Sequence, residues 1–355
     1  MGEVLGVGLT HFPAFLGGDD RMATALRHML DAPGFPEDRR DPAAWPLAMR
    51  QEWGDDEGLA AAARHRRALV AGLRRVRAAV DAFNPDAVVV MGDDQYENFR
   101  EDLVPPFCVL AYEDMEVRPF ESTRFGPNPW GEPPETVVAV RGDRQLGKAL
   151  VAGLLGQGVD MAYAYRPGHH PGLAHAFLNT VLFLDYDRAG FDWPLVPVAI
   201  NCYGRRLTAN RGVFPNLADP PAAEDLDPPS PHPFRCFEVG RALARVLGGL
   251  PGRYVLAASA SWSHGFLCEA TGYLHPAVDV DRALFGRLQA GDWQAFGALD
   301  LADVERYGHH ELLNWVVLAG AMAELDRVPQ WCELVESHVF NSDKVFAVVG
   351  AGAAR

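Results

Sequence analysis

Apolar positions along this chain fall into two spacings. Short, unbroken apolar runs at residues 4–9, 87–91, 195–201 and 254–258 have the length and the lack of polar interruption expected of strands buried on both faces of a sheet. Between them apolar residues recur at helical intervals. Leu69, Leu73, Val76 and Val80 predict a long helix over 59–83 that Asn84-Pro85 stops, and similar periodicity predicts helices over 139–156, 173–183 and 235–247. A further amphipathic helix, ELLNWVVLAGAMAEL, opens at His309-His310-Glu311 and puts Leu312, Trp315, Val316 and Ala319 on one face. The alternation predicts an α/β fold. Three stretches lack both spacings. Residues 17–58 are rich in Pro, Asp and Arg, residues 118–135 form a Pro- and Gly-rich loop with Phe125 and Trp130, and residues 211–233 read as a Pro-rich linker. From residue 329 onward the pattern predicts loop and short strand. The organisation expected is one domain over 1–355, with irregular insertions at about 17–58 and 211–233.

Polar chemistry collects where the apolar runs stop. The run ending at Met91 and Gly92 gives way to Asp93, Asp94, Gln95, Tyr96, Glu97 and Asn98, and in α/β sheets the carboxyl ends of strands are where ligands bind. The run at 4–9 ends in Thr10-His11-Phe12-Pro13, and the run at 254–258 ends in Ser259-Ala-Ser-Trp-Ser-His264-Gly265. Each has a plain structural explanation too. A lone histidine at a strand end is commonly a hydrogen-bonded core residue, an acidic loop can simply cap its strand, and a carboxylate such as Glu311 in the first turn of a helix is favoured by the helix dipole alone.

Composition narrows the classes. With 355 residues, 48% of them hydrophobic, and a mean hydropathy of -0.07, the chain can bury a large core. No apolar run reaches the roughly 18 residues needed to cross a bilayer, and the start lacks a basic segment and a cleavage site, so a cytoplasmic protein is expected. The net charge of -15 disfavours nucleic acid and anionic membranes as partners. The basic positions around Arg64, Arg66, Arg67, Arg74, Arg75 and Arg77 fall on one helix and read as a solvated face. Five cysteines form no CxxC pair and suggest neither a disulfide framework nor a zinc cluster.

Taken in order, GLTHFPAF, DDQYENFREDLVPPFC, Gly168-His169-His170-Pro171-Gly172, VPVAINCYG, SWSH and HHELLNWVVLAGAM resemble the motifs of the class III extradiol ring-cleavage dioxygenases. That family includes the protocatechuate 4,5-dioxygenase beta subunit and the dihydroxyphenylpropionate dioxygenases, and the resemblance runs from about residue 6 to residue 323. It implies a central mixed sheet flanked by helices and a mononuclear Fe(II), held by two histidines and a glutamate, that takes a small aromatic substrate and dioxygen. Carried over by position, the ligands are His11, Gln95 and Glu311. Gln95 departs from the pattern, because the family has a histidine there, and a carboxamide offers only a neutral carbonyl oxygen. Four outcomes are open: Gln95 ligates weakly, Asp94 replaces it, another histidine such as His65, His175 or one of the pairs His169-His170 and His309-His310 fills the place, or the metal is lost.

The family's two acid–base histidines match His170 and His264, with His169 or His175 as alternatives to His170. An imidazole with an ordinary pKa near 6.5 can take and return a proton at neutral pH. Phe12, Phe15, Tyr96, Tyr112, Trp130 and Tyr203 are candidates to line a pocket for a flat ring, and Arg205 and Arg206 could pair with a carboxylate on the substrate. The leading expectation is an Fe(II)-dependent extradiol-type dioxygenase acting on a catechol- or aminophenol-like aromatic, and family habit points to a homo-oligomer. The rivals are a divalent-metal hydrolase or lyase and a non-catalytic homologue that binds an aromatic ligand.

Overall fold

Each of the four apolar runs becomes a strand with both faces covered. The structure, a computed structural model, describes residues 2–121 and 126–350, so Phe125 lies outside the described residues. In chain order its elements are β1 (Glu3–Leu9), α1 (Thr24–Asp31), α2 (Leu47–Trp53), α3 (Leu59–Phe83), β2 (Ala87–Gly92), β3 (Phe107–Leu110), β4 (Met115–Val117), β5 (Val138–Val140), α4 (Arg144–Gly156), β6 (Ala162–Ala164) and α5 (His175–Leu184). There follow β7 (Leu195–Ile200), α6 (Leu207–Asn210), α7 (Pro233–Gly249), β8 (Arg253–Ser259), α8 (Val278–Ala290), α9 (Trp293–Gly297), α10 (Leu301–Arg306), α11 (Leu312–Glu324), β9 (Val328–Val335) and β10 (Lys344–Gly350).

The main sheet has the order β6-β3-β7-β2-β8-β1-β10-β9. Its centre, β7, β2, β8 and β1, is parallel, β3 pairs antiparallel with β7 and parallel with β6, and β10 pairs antiparallel with both β1 and β9, so the sheet is mixed. Helices cover both faces because successive side chains point opposite ways. Val88 and Val90 pack with Leu69, Leu73 and Phe177 of α3 and α5, while Val89 and Met91 pack into the layer of α4, α7 and α11. The α11 layer sits close enough to require glycine. A Cβ on Gly8 would lie 1.9 Å from the Trp315 ring, and one on Gly240 would lie 1.8 Å from the Val317 carbonyl oxygen.

Several boundaries differ from the sequence expectations. Residues 17–58 are not irregular: α1, α2 and short 3-10 turns fill this stretch, and Met22, Leu26, Met29, Trp45 and Met49 enter the core. Frequent Pro and charge hid helices only two turns long. Helix α4 begins at Arg144, where the Asp143 carboxylate caps the Leu146 amide at 2.8 Å, and residues 138–140 are strand instead. The carboxyl-terminal region, expected to be loop and short strand, supplies two full strands, β9 and β10. Lys344 and Asp343 interrupt its apolar pattern, yet both are wholly buried, and the Lys344 ammonium donates to the Phe340 and Ser342 carbonyls at 2.6 and 2.7 Å. Residues 211–233 do lack long elements, with one 3-10 turn at Ala223–Asp225.

This topology brings the carboxyl ends of β1, β2 and β8 side by side. The amino ends of α5 and α11 point into the same place.

Candidate metal centre

His11 lies two residues past the end of β1 and is 1% exposed. Its Nδ1 stands 3.0 Å from the Ser259 carbonyl oxygen and 3.2 Å from Ser259 Oγ. Donation from Nδ1–H to that carbonyl would leave Nε2 free to offer an electron pair to a metal. Nε2 in turn faces Asp93 Oδ1 at 3.8 Å and Glu311 Oε2 at 3.4 Å. Asp93 follows β2 directly and is fully buried. It accepts from Gln95 Nε2 at 3.0 Å and from Asn314 Nδ2 at 3.3 Å. Glu311 stands at the amino end of α11, where it accepts from Gln95 Nε2 at 2.8 Å and from the Ser261 amide at 3.2 Å, with His264 Nε2 3.2 Å away.

Two buried carboxylates this close compete for one proton. Burial, followed by the Glu311 charge, raises the Asp93 pKa to about 6. Burial also pushes Glu311 upward, but His264 and His11 outweigh it and hold Glu311 well below the usual carboxylate range. His11, Asp93 and Glu311 each offer one donor atom, and these atoms lie within 4.8 Å of one another. Such a set fits a divalent first-row cation, whose charge would offset the cost of burying paired carboxylates. It departs from the two-histidine, one-carboxylate arrangement in that Asp93 contributes a second oxygen donor.

Gln95 is at the centre but turned the wrong way to ligate. Its amide nitrogen donates to both carboxylates, and flipping the amide would set its oxygen against two carboxylate oxygens. Asp94 is occupied elsewhere. Its carboxylate accepts from the Glu97, Asn98 and Phe99 amides at 3.0, 2.9 and 3.2 Å and from the Tyr203 hydroxyl at 2.7 Å, which folds the strand-end loop. That hydroxyl also accepts from the Tyr96 amide at 3.1 Å, and Tyr96 has a left-handed φ of 64°.

His264 reaches Glu311 as above and is 5% exposed, with Nδ1 unpartnered among the described residues. Burial opposes charge on its ring, but Glu311 more than compensates and the pKa is raised. His175, the first residue of α5, holds Nδ1 2.8 Å from Glu97 Oε2 and turns a buried Nε2 without a partner among the described residues; its ring centroid is 5.1 Å from that of His11. Against the burial penalty, Glu97 and then Asp93 and Glu311 raise its pKa to about 9. The structure does not bring His170 to the cluster. His170 is half-buried and accepts from the Gly172 amide at 3.1 Å, while His169 pairs with Asp102 near the surface. His170 nonetheless lines, with Glu97 and His175, the larger cavity beside the cluster. His309 is tied to Asp281 at 2.5 Å, and His65 is buried beneath Phe340 away from the site.

Two cavities flank the cluster. One of about 290 Å³ is lined by Gln95, Tyr203, Arg206, Phe266, His310 and Glu311, and Arg205 also borders it. The other, of about 740 Å³, is lined by Pro13, Tyr96, Glu97, Arg118, His175 and Asn179. Tyr96 and Tyr203 therefore border cavities, as expected. Phe12, Phe15 and Tyr112 are core residues instead, and Trp130 packs on Phe120 and Tyr186. The sequence reading passed over Asn314 and Ser259, because each is an ordinary polar residue until the fold aims it at Asp93 or His11.

A mixed α/β sheet that gathers imidazole and carboxylate at its parallel strand ends puts them where such sheets bind ligands. Residues 226–351 match the family model of the catalytic LigB subunit of aromatic ring-opening dioxygenase. Among named relatives the chain is similar to 2,3-dihydroxyphenylpropionate/2,3-dihydroxicinnamic acid 1,2-dioxygenases. The one from Paraburkholderia xenovorans is 29% identical over 301 residues, which cover 74% of this chain and 88% of the relative. The one from Paraburkholderia phymatum is 28% identical over 283 residues, 70% of this chain and 79% of the relative. The match to the Pseudomonas putida protein, 27% identical over 193 residues, covers 54% of this chain and about half, 48%, of that relative.

Proposed function

We propose that this chain is a metal-dependent extradiol-type dioxygenase that opens a catechol- or aminophenol-like ring with dioxygen as co-substrate. The observation that carries this reading is the buried His11–Asp93–Glu311 cluster flanked by two further histidines, His175 and His264. Fe(II) is the cofactor that the family resemblance implies. His11, Asp93 and Glu311 would hold it, and when bound it would bring the catechol and dioxygen together and lower the pKa of the ring hydroxyls.

The rest falls to the protein. His175, oriented by Glu97, presents Nε2 to the space beside His11 and is set to move a proton between a ring hydroxyl and the protein. His264, anchored on Glu311, is set to return one to the opening ring. Burial of the cluster keeps bulk water from reacting intermediates. Aromatic walls from Tyr203 and Phe266 suit a planar ring, and Arg205 and Arg206 at the smaller cavity suit an anionic side chain like that in the relatives' substrate names. Arg206 is shared with Glu269 and Tyr273, whereas Arg205 makes no ion pair among the described residues. A cytoplasmic homo-oligomer completes the reading. All five cysteines are free, which suits a reducing compartment, and among the described residues no helix is long and apolar enough to cross a membrane.

The test is oxygen uptake and ring-opened product by absorbance, with 2,3-dihydroxyphenylpropionate and catechol, on metal-reconstituted protein under air and under argon. Stoichiometric oxygen consumption under air and silence under argon are expected. Turnover that persists under argon would overturn the oxygenase reading in favour of hydrolytic or lyase chemistry.

A further inference from the structure

We propose that Asp93 takes the place of the second imidazole as a metal ligand, that Gln95 braces the two carboxylates without ligating, and that the site in consequence discriminates only weakly between Mn(II) and Fe(II). The donor atoms that lie within 4.8 Å of one another are one imidazole nitrogen and two carboxylate oxygens, with no second imidazole in the set. Affinity for Fe(II) over Mn(II) follows the Irving–Williams order, and imidazole donors favour iron whereas carboxylates favour manganese. Exchanging one nitrogen for a second anionic oxygen strengthens the purely electrostatic part of binding, which the two ions share. It weakens the part that tells them apart.

The surroundings support the assignment of Asp93. Its Oδ1 is held by Asn314 at 3.3 Å on the side facing His11, and its Oδ2 is held by Gln95 at 3.0 Å on the other. One oxygen is thus aimed at the centre while the other is anchored, as outer hydrogen bonds do for metal carboxylates. Gln95 anchors Glu311 Oε1 at 2.8 Å in the same way and so sets the spacing between the two ligands. His264 spends Nε2 on Glu311, and neither it nor His175, whose Nδ1 is held by Glu97, is among the donor residues whose atoms lie within 4.8 Å of one another.

Metal binding is read without turnover, so this proposal and the oxygenase reading can fail separately. The chelator-treated full-length protein is titrated anaerobically with Mn(II) and with Fe(II), and the Mn(II) form is examined by electron spin-echo spectroscopy for coordinated imidazole nitrogen. Expected for the wild type are dissociation constants for the two ions within about tenfold of each other and modulation from a single imidazole. Gln95→Ala should weaken both ions in parallel and leave their ratio unchanged. Asp93→His should show two imidazoles and widen the Fe(II) preference by about tenfold or more. Should that variant not fold, Asp93→Asn, which keeps the shape and removes the charge, should weaken both ions by about a hundredfold. Two imidazoles in the wild type, a Mn(II)/Fe(II) ratio that changes in Gln95→Ala, unaltered affinity in Asp93→Asn, or no stoichiometric binding of either ion would each overturn the proposal.

Discussion

Removing a single oxygen atom, as in Tyr203→Phe, should loosen the metal centre from a distance. The Tyr203 hydroxyl lies 2.7 Å from Asp94 Oδ1 and 2.7 Å from the Phe99 carbonyl oxygen, and it accepts from the Tyr96 amide at 3.1 Å. These contacts straddle Gln95, whose chain neighbours are Asp94 and Tyr96. A hydrogen bond to a buried carboxylate contributes about 1.5–3 kcal/mol, and an amide left unpartnered in the interior costs about 1–3 kcal/mol. The phenylalanine keeps the ring, so no apolar burial is lost, and relaxation of the loop recovers part of the cost. A net loss of about 3 kcal/mol is expected, together with weaker metal binding as Tyr96 leaves its left-handed conformation and Gln95 follows.

Urea denaturation of metal-free protein measures the first effect and metal titration the second. Tyr112→Phe is the control: its hydroxyl meets Asn98 Nδ2 at a long 3.4 Å, and its removal should cost less than about 1 kcal/mol. A Tyr203→Phe loss no larger than the control's, with unchanged metal affinity, would refute the claim that this hydroxyl organises the strand-end loop.

Three other substitutions probe separate parts of the structure. His65 is buried against Phe340, and burial, then Lys344 and Arg66, push its pKa well below 6.5; a depressed folded value means that stability is intact above about pH 6.5 and declines as pH falls below it. His65→Leu should therefore be close to neutral at pH 8 and flatten the fall in stability between about pH 6.5 and 5, which melting curves across that range would show. Gly240→Ala should destabilise by about 3 kcal/mol or more, since the new Cβ would sit 1.8 Å from the Val317 carbonyl where α7 crosses α11; a melting temperature equal to wild type would contradict that packing. Arg205→Ala with Arg206→Ala should lower kcat/KM roughly tenfold to a hundredfold for a catechol with a carboxylate tail while sparing plain catechol, and an equal loss on both would remove the arginines from substrate recognition.

Much of the architecture could be read from the sequence because its buried strands are unbroken apolar runs and its longest helix keeps a clean period. The 59–83 helix and the strands at 4–9, 87–91 and 254–258 fall within a residue or so of the elements formed. Strand β9 carries no such run, whereas β10 carries one at residues 345–349 that the polar stretch 341–344 before it overshadows. Lys344 enters the core at β10 only because nearby backbone carbonyls and the Phe12 ring receive its ammonium, which is a tertiary event with no local signature. At the site, motif order located His11, Glu311 and His264 because each begins or ends a regular element. Gln95 was located too, but its orientation depends on two carboxylates from distant parts of the chain. Asp93 was indistinguishable from Asp94 in sequence, and one residue of register decides which of them points inward. His175 was named only as an alternative to His170, because nothing local to its sequence shows that Glu97 holds its ring beside His11.

The three donor residues come from the first strand, the second strand and the last long helix, so the centre exists only once nearly the whole chain has docked. If the proposed metal binds there, it would be captured late in folding and would then hold the fold shut, adding about 2.7 kcal/mol when free metal stands at a hundred times its dissociation constant. When metal is scarce, the two unneutralised carboxylates work against the native state, and transient opening exposes the chain to proteases. Were the proposed metal to bind there, its supply would set how long each copy of the protein resists proteolysis.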